Sequence, residues 1–355
     1  MRHSVTRQPI KIKRSGFSLV ELIMVIGILL FLIATSAIVV RNVGNKGREK
    51  GTMATIVKIN GLLNQRIQAY HKVIESSRSQ KLLRTRMSSK RGELVTLTGN
   101  KKYRVLSDPV VEILVRKDLF RENFPQLPYE NTLIDDLIDR TLDGTTAAPV
   151  RNSNANLSAE YLYFILTQHD AFGVSPVGED AFNTSEVGDT DNDGLKEFID
   201  GWGRPLRFYR WPTRLIHPFG STTIRRDIAG VFFSGLPPAP TLNEADPLKV
   251  DPDDPLGRLI SENTRTNGLM TPLFSESVDY RYITPPPPPT VPGEYAALGR
   301  FWMPLIVSAG EDGILGLYEP NDFTNNGVLA QPTSVPADEG IYDNLTNHNQ
   351  RAGGR

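Results

Sequence analysis

The chain has 355 residues, 39% of them apolar, and its 40 basic and 40 acidic side chains cancel. That length suits one large or two small domains, and the charge balance excludes a global field that draws in nucleic acid. There is no cysteine, so stability must come from burial, assembly or bound metal rather than from disulfides. Prolines (26) and glycines (29) are frequent enough to predict long loops.

Residues 1–16 carry Arg2, Arg7, Lys11, Lys13 and Arg14 and no acid. From Phe17 to Val40 the only charged residue is Glu21. At 1.5 Å rise per residue, a helix of that length crosses a hydrocarbon core of roughly 30 Å. A secretory signal peptide is one reading, but its apolar region is only about 7–15 residues and ends at a small-residue cleavage site. An ordinary membrane anchor is a second reading, but it gives Glu21 no purpose, and a carboxylate in lipid needs one. The basic leader places the N-terminus inside and the rest of the chain outside the inner membrane, although Arg41, Lys46, Arg48 and Lys50 weaken this asymmetry.

Lys13-Arg14-Ser15-Gly16 followed by Phe17-Ser18-Leu19-Val20-Glu21-Leu22 and a long apolar run resembles the processing signal of type IV prepilins and type II secretion pseudopilins. The resemblance implies cleavage between Gly16 and Phe17 by a prepilin peptidase and N-methylation of Phe17. It also implies that Glu21, the fifth mature residue, pairs with the amino terminus of a neighbouring copy. The implied fold is α+β and pilin-like: a long N-terminal helix, half membrane and half amphipathic, packed on a small antiparallel sheet with long loop insertions. The implied partners are further copies in a helical filament, the peptidase, other pseudopilins and the inner-membrane assembly platform. The implied location is a single pass of the inner membrane with a periplasmic C-terminal domain, then the filament. Protein secretion is the expected role. A type IV pilus subunit for adhesion, motility or DNA uptake is the alternative, as is a calcium-dependent binding module on a pilin-like stalk.

Downstream, Gly44, Gly47 and Gly51 predict a kink or local melting. Met53, Ile56, Val57, Ile59, Leu63, Ile67, Tyr70 and Ile74 then recur at helical spacing, so one helix is expected from about Ser18 to about Ser77. Lys58, Arg66 and Lys72 are assigned to its solvated face. Residues 78–92 are basic and read as an exposed connector, closing a 41–92 segment of helix continuation and connector. Without interleaved aromatics they carry no nucleic-acid reading. Glu93–Thr98 reads as a short strand that opens the globular region 93–343. Asp135, Asp136 and Asp139 read as a helix surface. Ala159–Thr167 reads as a buried helix capped by Asn156 or Ser158.

Residues 189–200 read Asp-Thr-Asp-Asn-Asp-Gly-Leu-Lys-Glu-Phe-Ile-Asp. Asp189, Asp191 and Asp193, the Leu195 carbonyl, Glu197 and Asp200 follow the spacing of a calcium loop, with Gly194 at the sharp turn. The last place holds Asp200 instead of Glu, and an acidic solvated turn is the plain alternative. Asp200-Gly201-Trp202-Gly203-Arg204-Pro205 then resembles a turn before a strand in major pseudopilins, with Leu206–Tyr209 as the strand and Trp202 as core. Ser308-Ala309-Gly310-Glu311-Asp312-Gly313 resembles the calcium loop after the last strand of the same proteins. Asp312 matches its acid and Asp322 matches the closing acid less well, since Phe323 stands where a second Asp is usual. A Gly-rich hairpin turn is the alternative there.

Residues 236–258 and 284–293, the latter with five prolines from Pro285 to Pro289, read as surface insertions, and 344–355 as a disordered tail. Gly-x-Ser-x-Gly, a phosphate-cradling loop and His-Glu-x-x-His are all missing, and five histidines without cysteine make a catalytic zinc site a poor fit. His169-Asp170 reads as a local hydrogen-bonding pair. The chain is expected not to be an enzyme.

Overall fold

A computed structural model describes residues 19–77, 79–127, 130–131 and 156–212, nearly all of 304–333, residues 339–349, and short stretches around 215, 232 and 254–266. It is mixed helix and small antiparallel sheet. Packing divides the chain into two units, 1–47 and 48–355. Helix α1 (Leu19–Glu75) belongs to both.

In the first unit, α1 is long and apolar enough to cross a membrane. Leu19–Ser36 has a mean hydropathy of 2.6, and none of it is buried. The expected melting at Gly44, Gly47 and Gly51 is absent, because α1 is helical throughout. In the second unit the predicted stripe becomes core: Ile56, Ile59, Leu63, Ile67, Tyr70 and Ile74 are buried, whereas Val57 faces solvent. The assignment of Arg66 to a solvated face is overturned. Arg66 is 1% exposed and donates to the carbonyls of His169 (2.6 Å), Leu166 (3.2 Å) and Ser175 (3.4 Å). Burial lowers its pKa from the usual arginine range, and the charge of Asp170 opposes that shift. Lys58 pairs with Glu186 at 2.7 Å and lies over the Phe182 ring. Lys72 alone of the three is exposed.

Residues 79–98 correct two expectations at once. They form one helix, α2 (Ser79–Thr98), so the basic stretch is no loose connector and Glu93–Thr98 is no strand. Leu83 and Leu94 are buried on its inner face against α3 (Asp108–Asn123). Its cations meet acids: Lys90 with Asp118 at 2.6 Å, Arg86 with Glu122 at 3.3 Å, and Arg91 with Asp108. Short-range propensity reads Leu-Val-Thr-Leu-Thr as β, but packing on α3 decides for helix.

α4 (Leu157–Thr167) is buried along its whole length, as its composition predicts. Neither expected cap acts as one. Asn156 gives its side-chain amide to Thr190 Oγ1 at 3.0 Å, and Ser158 Oγ accepts the Phe208 amide at 3.2 Å. A short ribbon pairs β1 (Val187–Gly188) with β2 (Glu197–Phe198). A three-stranded antiparallel sheet has the order β3 (Arg207–Tyr209), β4 (Leu305–Ser308), β5 (Leu345–Thr346). Phe208, Ile306 and Leu345 join the core that holds the α1 stripe, while Tyr209, Leu305 and Val307 pack into a second cluster with Leu317 and Ile341. The alternation follows from the two-residue period of a strand.

The strand β5 overturns the expected tail from Asn344 to Asn349. Asn347 Oδ1 accepts the Ile306 amide at 2.9 Å, and Asn344, Asn347 and Asn349 are buried. The helix α5 (Arg258–Arg265), capped by Asp254, was not anticipated. The remaining proline-rich insertions and Asp135, Asp136 and Asp139 lie outside the described residues.

Arg210 and Glu130 form a buried ion pair at 2.6 and 2.7 Å, and Glu130 also accepts the amides of Gln126 and Leu127. Removing one partner strands the other charge in the interior. Glu130→Ala is therefore expected to destabilise the fold by about 3–5 kcal/mol in urea titration, and a paired apolar replacement, Glu130→Leu with Arg210→Met, to recover most of that loss.

Candidate functional site

Glu21 lies in the first turn of α1 and is exposed with the apolar residues around it. Gly16 and Phe17 lie outside the described residues. From Leu19 to Ile33 the large apolar side chains are each about half exposed or more, Leu19 at 74% and Phe31 at 68%. Fully burying one such side chain is worth about 1.5–3 kcal/mol, so this segment has a large unmet demand for lipid or for protein surface.

The residues 189–200 separate into three groups. Asp189 folds back on its own loop: its oxygens accept the amides of Asp193 (3.2 Å) and Gly194 (3.1 Å). Asp193 Oδ1 accepts the Leu195 amide at 2.9 Å, and the Leu195 side chain is buried. Asn192 and Gly194 both take positive φ, 59° and 92°, which Asn tolerates and Gly permits. Asp200 faces away from the loop. Its Oδ1 accepts the amides of Trp202 and Arg204, and its Oδ2 accepts the Ser308 hydroxyl at 2.7 Å. Glu160, which linear spacing omits, approaches the loop instead: carboxylate oxygens of Glu160, Asp191 and Asp193 lie within 4.8 Å of one another. Glu160 comes from the first turn of α4 and is fully buried.

Glu197 sits beside this cluster on β2. It is fully buried; Oε1 accepts the Thr190 amide at 2.7 Å, and Oε2 has no hydrogen-bond partner. Burial pushes its carboxyl up to about 7, and the charges of Asp191 and Asp189 add to the rise against the Thr190 hydrogen bonds. Lys196 turns outward to Glu179 at 2.9 Å.

The second acidic loop is arranged differently from its spacing. Asp312 Oδ1 accepts the Ile314 amide at 2.7 Å. Asp322 uses both oxygens on Asn325, at 3.0 and 2.8 Å. The acid that meets Asp312 is Asp343, which accepts the amides of Glu311 (2.6 Å) and Asp312 (3.1 Å). Burial raises the pKa of Asp343, and the neighbouring charge of Asp312 contributes to that rise. Asp343 stands more than thirty residues from Asp312 in the chain, so spacing within one loop cannot find it.

The turn at 200–205 ties these parts together. Gly201 donates its amide to Thr52 Oγ1 of α1 at 2.7 Å. A Cβ on Gly201 would stand 2.5 Å from the Arg48 carbonyl oxygen. Arg204 donates to the carbonyls of Gly310 (2.7 Å) and Glu311 (3.2 Å). Trp202 is half-buried against the main core, in line with its reading as core.

Comparisons with known protein families, curated proteins and solved structures return no match. Gly201→Ala pushes a side chain against helix backbone, which cannot swing aside. It is expected to destabilise the chain by about 1–3 kcal/mol in chemical denaturation.

Proposed function

We propose that this chain is a structural subunit of a helical pseudopilus, made as a precursor, cut after Gly16 and held in the inner membrane before assembly. The observation that carries this reading is the join of the basic leader and Gly16-Phe17-Ser18-Leu19-Val20-Glu21 to an apolar helical segment, Leu19–Ser36, of which none is buried. Lipid satisfies such a helix while the subunit is stored, and equivalent helices satisfy it in a filament. Glu21 sits at the edge of the span, where a carboxylate is tolerable beside a cation such as a neighbour's amino terminus. The reading is further supported by the amphipathic half of α1 sharing one core with an antiparallel sheet.

The secretion role, rather than a long extracellular pilus, is favoured by the two pseudopilin-like patches. They meet in space through the β3–β4 pairing, the Ser308–Asp200 hydrogen bond and the Arg204 contacts to Gly310 and Glu311. In this role, growth of a short periplasmic filament pushes exported proteins toward an outer-membrane channel. The soluble unit is then periplasmic, and its partners are further copies, other pseudopilins, the peptidase and the assembly platform.

Mass spectrometry of the chain extracted from membranes is expected to find N-methylated Phe17 as its first residue. Glu21→Leu should reduce filament yield at least about tenfold while leaving membrane insertion intact. Filaments built from chains that still begin at Met1 would overturn the proposal.

A further inference from the structure

We infer that the second units of neighbouring copies dock head to tail: a cationic ridge formed by α2 and the turn after it meets an acidic face around Asp180 and Asp189 of the next copy. The 40 basic and 40 acidic residues cancel over the whole chain but not locally. Residues 78–104 hold nine Lys or Arg and one acid, Glu93, whereas residues 170–195 hold seven Asp or Glu and no Lys or Arg. A molecule that is neutral overall and polarised in this way attracts further copies of itself.

Pairing within the chain uses only part of the ridge. Arg86, Lys90 and Arg91 turn to Glu122, Asp118 and Asp108. Lys81 and Arg84 of α2 are exposed, as are Lys101, Lys102 and Arg104 of the single-turn helix Lys101–Val105, which packs against α2. None of these five meets an acid among the described residues. Val105 beside them is 69% exposed and adds apolar contact area. On the acidic side, Asp170, Asp180, Asp189 and Asp191 are exposed. Lys196 of the acidic loop pairs with Glu179 at 2.9 Å, which sets the turn Glu179–Ala181 beside that loop, so the two present their acids together.

The occupant follows from symmetry and charge. A two-fold dimer uses one patch that matches itself, and the ridge would repel its own copy. An open helical filament repeats one heterologous contact, which needs two different and complementary patches on every copy. The ridge and the acidic face are such a pair, and a second copy satisfies both at once. An anionic lipid surface would leave the acidic face without a complement. Tyr103, the one aromatic residue in 78–104, is buried, so the ridge offers single-stranded nucleic acid no stacking platform. A single exposed ion pair contributes little, so the contact depends on several cations acting together and on its repetition along the filament.

This inference rests on the filament reading and adds where the second units touch. The test is filament yield from full-length chains with exposed charges reversed. Lys101→Glu with Lys102→Glu should lower the yield at least about tenfold, because like charges then face each other across the contact. Asp170→Lys with Asp180→Lys should do the same, and all four substitutions together should restore the yield. Loss on reversing the ridge alone would assign the ridge to lipid headgroups or nucleic acid and overturn the inference, as would a loss that the fourfold exchange does not repair. If filaments of the unaltered chain form and both reversals leave the yield unchanged, this inference fails and the filament reading stands; if the unaltered chain forms none, both fall. A thiol-reactive cross-linker tests the same contact without reversing charge. Copies with Lys102→Cys mixed with copies with Asp180→Cys are expected to give covalent dimers that neither variant gives alone, and dimers confined to the unmixed variants would overturn the head-to-tail contact.

Discussion

A helix that is apolar on every face cannot stay in water. From Leu19 to Ser36 no side chain of α1 finds cover within its own chain. The hydrophobic demand of that segment is met by lipid or by apolar protein surface, and the segment is long and apolar enough to cross a membrane. The rest of the chain is compatible with that constraint because its own core is closed without those residues. The stripe from Ile56 to Ile74 is buried by α3, α4 and the sheet, so the second unit needs nothing from the apolar segment to stay folded.

The second unit is held by polar anchors set at its seams. Arg66 gathers three carbonyls from the end of α4 and the loop after it. The guanidinium can do this because it carries five donors in a rigid fork. Gly201 lies close enough to α1 for its amide to reach Thr52, a position no larger residue fits. Arg210 and Glu130 close the region beyond β3, with Arg210 stacked 4.2 Å over Trp211. Each anchor joins segments remote in sequence, so each raises the cost of separating the segments it joins.

These long-range anchors mark where sequence reasoning reaches its limit. Periodicity located α1, its buried stripe and α4, because each obeys one local rule repeated over several turns. The Gly-Trp-Gly turn and β3 were also legible, because glycine and alternating side chains have local causes. Arg66 was misplaced because a lone cation on a helix looks solvated until the carbonyls that receive it are known. The strand β5 was hidden in a polar segment, since Asn347 earns its place by accepting the Ile306 amide and not by apolar character. Glu160 and Asp343 were missed for the same reason. Each faces its partners from a different element, and spacing within one loop carries no signal of it.

The central claim is that the exposed half of α1 packs against the same helix of other copies. The chain has no cysteine, so single cysteines placed from Leu22 to Ile33 report only on their own neighbours. Oxidative cross-linking of these variants in membranes is the most direct measurement. The account predicts covalent dimers that recur every three to four positions along the helix, one face at a time, with yields that fall when Glu21 is replaced. Uniform absence of dimers along the whole series, in cells that carry the inserted protein, would contradict it.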